Sequence, residues 1–437
     1  MLNFVKRAYL RAGNFIQYAI HKYFYLLTAI IITVLSLVVR FSVALHPTKD
    51  VVGYVFSWMQ DIQEVGFTSF YTVQSDYSPL FLFIIAIYTL LPTGELVTVS
   101  GMTFYKNWMY YVKSTYFVTE IIIAVGIYLL IKQITNSKKS AWLGYVIFLC
   151  LPVQLFNSAI WGNSDTMYFA CFVYALLFIV KQKSGWVFFV IGVGLGLKLQ
   201  SIFFFPLLVY LVLSGKIKFY KIYALPLGLF ATFIPAYIFG ASIFQPFAFW
   251  ERQLNGYNNL TLGCANIWHL INIKQGALDI FNQGSTWFGL LLIGLFTAIV
   301  FSRKVQLASD NLLLVSVFLI AIVPMFLPHM HERYFYALDV LIVVYCLIFK
   351  RHYFLVVLMQ LSSGIAYHNY LAGRHFILSL GEDSVHIASW INIFVLAFLF
   401  YQILKLKTEG SVQDFANKYK ALLKVEKANN NEESKSE

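Results

Sequence analysis

The sequence predicts an all-α fold, a polytopic transmembrane helical bundle of about twelve spans, with both termini cytoplasmic and interfacial helices in the first outer loop. Three observations predict it. Of 437 residues 59% are hydrophobic and only 12% charged; with a mean hydropathy of +0.71, this is more apolar surface than a soluble domain could bury. Apolar runs of membrane-crossing length recur along the chain, and Lys and Arg collect between alternate runs. The other polar residues gather in the remaining connections. A net charge of +12 would suggest nucleic acid in a soluble protein; here it reads as basic cytoplasmic loops, and no nucleic-acid partner is expected. Cys150, Cys171, Cys264 and Cys346 form neither a disulfide framework nor a CxxC metal pair.

In chain order, Lys6, Arg7, Arg11 and Lys22 precede the first run, Tyr23 to Leu45, which lacks a small-residue cleavage site and reads as a retained span. Leu80 to Leu91 is too short to cross and reads as re-entrant on the outer side. That choice sends the span from Met109 to Ile131 inward and delivers Lys132, Lys138 and Lys139 to the cytoplasm. Further spans fall near 141–160, 165–180, 186–197, 201–214, 222–240, 286–302, 311–328, 335–349, 353–370 and 387–404. The runs 186–197 and 201–214, broken by Lys198 and Gln200, are short enough to dip and return without changing the parity. Residues 1–408 read as one transmembrane domain with its first outer loop at 46–108, and 409–437 as a polar cytoplasmic tail, a short amphipathic helix followed by disorder.

This topology places Asp50, Asp61, Glu64, Asp76, Trp161, Asp165, Lys198, Gln200, Asn266 and Trp268 at the extracytoplasmic face. In the first outer loop Val52, Val55, Met59, Ile62 and Gly66 recur at helical spacing. Asp50, Ser57, Asp61 and Glu64 lie opposite them, within about 40° of one another, as on an interfacial helix with its apolar face in the headgroups. Thr48 is the expected N-cap, which puts Asp50 in the first turn, where the helix dipole favours a carboxylate. Asp50 and Asp61 would then stand about 16 Å apart along one face. Lys198 between two apolar runs calls for an anionic partner. Glu120 and Asp339, inside spans, suit helix packing or charge pairing.

The densest cluster is His329-Met330-His331-Glu332-Arg333-Tyr334-Phe335-Tyr336, beside Pro324 and Pro328. Two imidazoles, a carboxylate and a guanidinium are costly at a membrane face unless they bind something. Arg333 offers a planar donor fork for phosphate or carboxylate, and the histidines add donors that titrate near neutrality. A surface anchor of snorkelling charges and tyrosines is the bland alternative. There is no Asp-x-Asp pair, HExxH or Gly-rich phosphate loop, so no metal, nucleotide or other cofactor is indicated, a divalent cation included.

Six elements in this order carry a resemblance: Asp50 followed by Trp58; Asp76-Tyr77-Ser78-Pro79-Leu80; Trp161-Gly162-Asn163-Ser164-Asp165; Lys198-Leu199-Gln200; Ala265-Asn266-Ile267-Trp268; and His331-Glu332-Arg333-Tyr334-Phe335. From Arg40 to Tyr336 the chain resembles the C-type integral-membrane glycosyltransferases, and among them the bacterial relatives of the mannosyltransferase that adds the second mannose of GPI anchors. It departs from that pattern at Ser78, where the family usually has a second proline, and at Asn163, where it usually has glutamine. The resemblance implies inverting transfer of a hexose, mannose by family default, at the outer face. The donor would be a polyprenyl-phosphate sugar, a membrane lipid, and the acceptor a glycan, glycolipid or protein. It implies Asp50 as general base, with Arg333, His331, Lys198 and Gln200 on the donor phosphate. Asp61, Asp76, Tyr77, Trp161 and Asp165 would orient or contact the acceptor, with Glu332, Asn266 and Trp268 in support. Bottom-up chemistry agrees: a single displacement needs a carboxylate for the acceptor proton and cations where charge builds on the leaving phosphate. A transporter or flippase of lipid-linked sugars is the competing class, but it predicts repeated halves and midplane polar residues, whereas here no repeat is visible and the polar residues gather at one face.

Overall fold

Hydrocarbon forces backbone polar groups to pair within their own segment, and the apolar runs accordingly become helices. The structure, a computed structural model, describes residues 2–244, 247–255, 259–271, 278–305, 308–371 and 383–408. α1 (Leu2–Val43) leads to a π-helical turn (Lys49–Val55) that runs into α2 (Phe56–Val65). α3 (Pro79–Thr89) and the antiparallel hairpin β1 (Leu96–Val99) and β2 (Met102–Tyr105) complete the first loop. α4 (Lys106–Thr135), α5 (Lys138–Cys150) and α6 (Pro152–Leu155), the last continued by a π turn (Phe156–Trp161), come next. α7 (Asp165–Val180), α8 (Ser184–Leu197), α9 (Phe205–Leu213), α10 (Ala224–Ile238) and α11 (Ala248–Asn255) follow. α12 (Leu278–Ser302), α13 (Ser309–Phe326), α14 (Tyr336–Phe349), α15 (Phe354–Leu371) and α16 (Asp383–Leu404) close the bundle.

Among the described residues six helices are long and apolar enough to cross a membrane, or seven if α5 and Pro152–Trp161, bent by 48°, form one span. The other expected spans fall on the shorter apolar helices α7, α8, α9, α14 and α15. The re-entrant candidate is α3, 11 residues long, capped by Ser78 with Pro79 in its first turn. The polar tail lies outside the described residues.

Two packing features position the end of the bundle that carries Asp50 and the His329–Phe335 segment. α8 and α10 approach closely: a Cβ on Gly192 would collide with the Leu225 carbonyl, one on Gly228 with the Phe189 carbonyl, and one on Gly196 with the Thr232 hydroxyl. Gly192 and Gly196 make a GxxxG stripe, whose missing side chains let two backbones touch. α13 and α14 are enclosed, buried from Leu312 to Met325 and from Tyr336 to Leu347, so the His329–Phe335 segment between them is held from both sides. The helix Lys49–Val65 corrects one expectation. Val55, Met59 and Ile62 do not face lipid headgroups; they are buried in one cluster with Phe81 and Ile85 of α3 and Trp108 and Met109 of α4. The segment between α1 and α4 thus has a core of its own.

Candidate active site

Asp50 enters as expected. Thr48 is extended, its hydroxyl accepts the Val51 N–H at 3.4 Å, and Asp50 sits in the first helical turn. Both carboxylate oxygens are claimed: Trp161 Nε1 donates to Oδ2 at 2.8 Å and the Tyr370 hydroxyl donates to Oδ1 at 2.6 Å. The Trp161 and Tyr370 rings stack at 4.2 Å and 12°. Thr48 also donates to the Trp161 carbonyl at 2.7 Å, which stitches the two segments together. The Asp50 side chain keeps 24% of its surface exposed, toward a cleft.

Arg333 stands on the same cleft. Its Nη1 lies 4.0 Å from Asp50 Oδ2 and 3.5 Å from Glu332 Oε1, and its Nε 3.5 Å from Asp165 Oδ2. The guanidinium carbon sits 5.2 Å above the Trp161 ring. Among the described residues its one side-chain hydrogen bond is the long one to Glu332, and where the guanidinium lines the cleft it has N–H groups to offer a ligand. Glu332 also lies 3.7 Å from His331 Nδ1, and bridges the two. Burial, and then the Arg333 charge, push the His331 imidazole below its ordinary value, so it faces the cleft neutral at pH 7.

Lys198 does not wait for a ligand's phosphate. It is buried, and its ammonium donates to Asp165 at 2.6 Å and to Asn163 at 3.0 Å. Asp165 in turn accepts from Asn157 at 3.1 Å. The expected anionic partner therefore belongs to the chain itself, and the Lys198–Asp165 pair backs Arg333 from behind. Gln200 likewise turns to the protein, its amide donating to the Tyr334 hydroxyl.

The cleft, about 150 Å³, is lined by Asp50, Asp76, His331 and Arg333 between the rings of Tyr54, Trp58, Tyr77 and Tyr370. Trp58 and Tyr77 pack at 5.1 Å. Neither Lys198 nor Gln200 is on its wall. Asp61 and Glu64 are exposed and do not line it either: the π turn holds an extra residue and rotates everything beyond it away from Asp50. Burial in the cleft raises the Asp76 carboxyl above its ordinary 3.8. An acid raised in the folded state contributes stability that is full below its unfolded pKa and lost as pH rises through the folded one. Asp76→Asn should therefore gain melting temperature relative to wild type on going from pH 3.5 to pH 8. A difference that stays flat over that range would mean Asp76 titrates as in water.

Other residues brace the site. Asn266 donates to the carbonyls of Pro324 at 3.1 Å and Leu327 at 3.3 Å, and Trp268 Nε1 donates to Phe326 at 2.7 Å. They close the end of α13, where carbonyls lack helical partners, and so fix the start of the His329 segment. Sequence reasoning passed over Lys113, buried in α4. Its three N–H groups donate to the carbonyls of His46 at 2.8 Å, Ala159 at 2.8 Å and Ile160 at 3.0 Å, tying the segment before Asp50 to the turn that carries Trp161. It also passed over Gln253 of α11, which accepts the Leu199 N–H at 3.2 Å and donates to the Asp76 carbonyl. A lysine inside an apolar run was the available signal for Lys113; Gln253 and Tyr370 gave none. Glu120 pairs with Arg40 and accepts from Gln154, and Asp339 accepts from Ser363 at 2.9 Å, the packing roles expected of both.

Among the described residues no group of three or more His, Cys, Asp or Glu side chains could hold a metal ion. In comparisons with known proteins, no family model matches the chain and no curated protein matches it.

Proposed function

We propose that the chain is a bacterial plasma-membrane glycosyltransferase that moves a hexose from a polyprenyl-phosphate donor to a glycan, glycolipid or protein acceptor at the extracytoplasmic face. The observation that carries the reading is one small cleft where a held carboxylate, Asp50, faces a donor-rich guanidinium, Arg333, at 4.0 Å between aromatic walls. Aromatic faces and carboxylates are what a sugar's C–H faces and hydroxyls pack and bond against. Asp50 would take the acceptor hydroxyl's proton as the glycosidic bond forms. The bond from the anomeric carbon to the phosphate oxygen breaks, and Arg333 meets the charge on the leaving phosphate. Neutral His331 would add a hydrogen bond there without a second charge. A groove of about 460 Å³ between α9 and α12 supports the lipid part of the reading: it is almost wholly apolar, and its walls include Ile202 and Leu327. Those two residues are close in sequence to Gln200 and His329, so a polyprenyl tail seated there would bring its phosphate toward the His329–Arg333 segment.

The direct test is whether the purified protein transfers label from a polyprenyl-phosphate sugar to any acceptor in a membrane extract. Absence of transfer, with label crossing the bilayer in proteoliposomes, would favour the flippase class. The full topology, twelve spans with both termini inside and α3 re-entrant, has its own expected result. In a cysteine-free background Thr68→Cys and Ser100→Cys, both at exposed positions flanking α3, should each react with an impermeant thiol reagent added outside. Labelling of only one would make α3 a crossing and move the cleft's partners to opposite faces.

A further inference from the structure

A larger groove lies at the other end of the bundle. α1 runs toward Asp50, so its Lys22 end is the end away from the cleft; α4 carries Lys132 in its last turn there and α5 begins there at Lys138. Along this stretch α1 is little covered, 6% of its best apolar window being buried. It is nonetheless held to its neighbours: Thr33 hydrogen-bonds Tyr145 of α5 at 2.6 Å, Tyr25 packs on Trp142 at 5.8 Å, and Arg40 pairs with Glu120. Between α1, α4 and α5 these contacts leave a groove of about 690 Å³.

Its lining is divided by chemistry. Lys22, Lys132 and Lys138, one from each helix, line it at the end away from Asp50, and Leu26, Ile30, Val34 and Val125 line the rest. Tyr23, Tyr128 and Trp142 also line it, and Lys22 and Lys132 lie over the Tyr23 and Tyr128 rings at 5.4 and 5.9 Å. None of the ion pairs among the described residues engages Lys132 or Lys138. Basic ends with interfacial aromatics above an apolar slot between helices match an anionic headgroup with a chain below it.

We propose that this groove binds one anionic glycerophospholipid of the leaflet opposite the active cleft, its phosphate among Lys22, Lys132 and Lys138 and one acyl chain along Leu26, Ile30 and Val34. The lipid fills the space between α1 and the bundle, and the lysines select it over a zwitterionic lipid, whose own cation they repel. The site is independent of the transfer reaction and stands or falls on lipid binding alone.

Native mass spectrometry of the full chain, delipidated and titrated with phosphatidylglycerol or phosphatidylcholine, tests it. Wild type should retain one phosphatidylglycerol with roughly tenfold preference, which Lys132→Gln with Lys138→Gln removes while phosphatidylcholine retention stays the same. Wild-type preference should also weaken as salt rises, a readout that holds even if the double variant fails to fold. Equal retention of the two lipids by wild type, or a phosphatidylglycerol preference that survives in the variant or in high salt, would overturn the proposal.

Discussion

Asp50→Asn is expected to lower turnover by about 10²- to 10⁴-fold, the scale of a positioned general base, with donor binding within a few-fold of wild type. The amide has the carboxylate's shape, so an oxygen can still accept from Trp161 Nε1, now at 2.8 Å, and the aromatic stack can stay. What is lost is the basicity with which the carboxylate would take the acceptor's proton. Two companions make the result specific. Asp61→Asn, on an exposed position off the cleft, should leave turnover unchanged. Asp76→Asn, across the same cleft, should weaken acceptor use more than the rate at saturation. Initial rates over both substrates, with donor binding measured separately, decide the matter. Full turnover in Asp50→Asn together with its loss in Asp76→Asn would transfer the base to Asp76.

The contrast between Asp50 and Asp61 also marks what could be read in the chain. Local chemistry was legible: Thr48 caps the helix, Ser78-Pro79 starts α3, and the apolar runs fall on helices. Phase was not, because a 100° periodicity presumes an unbroken α-helix and the π turn at Lys49–Val55 breaks it. Of the polar residues that the sequence gathers to one end, Asp50, Asp76, Tyr77, His331 and Arg333 share a cleft. Their division of labour was hidden, since it depends on pairings across the chain. Lys198 needed an anion, but nothing local says that Asp165, 33 residues away, supplies it. Tyr370 lies 320 residues from Asp50 and resembles any tyrosine at a helix end. Lys113 illustrates the same limit: its three carbonyl partners carry no side-chain signature.

Arg333→Lys should lower turnover by about 10- to 1,000-fold, the range for one donor to developing charge in a transition state. The substitution keeps the positive charge that the buried Asp165 and the adjacent Glu332 require, so the fold has no unpaired carboxylate to accommodate. It removes the planar fork. In wild type Nη1 reaches toward Asp50 Oδ2 at 4.0 Å and Glu332 at 3.5 Å while Nε lies 3.5 Å from Asp165, and the plane rests 5.2 Å over Trp161. One side chain thus keeps station between three carboxylates and still presents N–H groups to the cleft. An ammonium is a single point that settles on the nearest buried carboxylate and withdraws from the phosphate. The control is Lys106→Arg, at an exposed surface pair with Glu95, where either cation serves. Single-turnover rates with bound donor, alongside melting temperatures, separate chemistry from folding. Equal and small effects at both positions would mean that His329–Arg333 anchors the protein at the membrane surface and does not meet the leaving group.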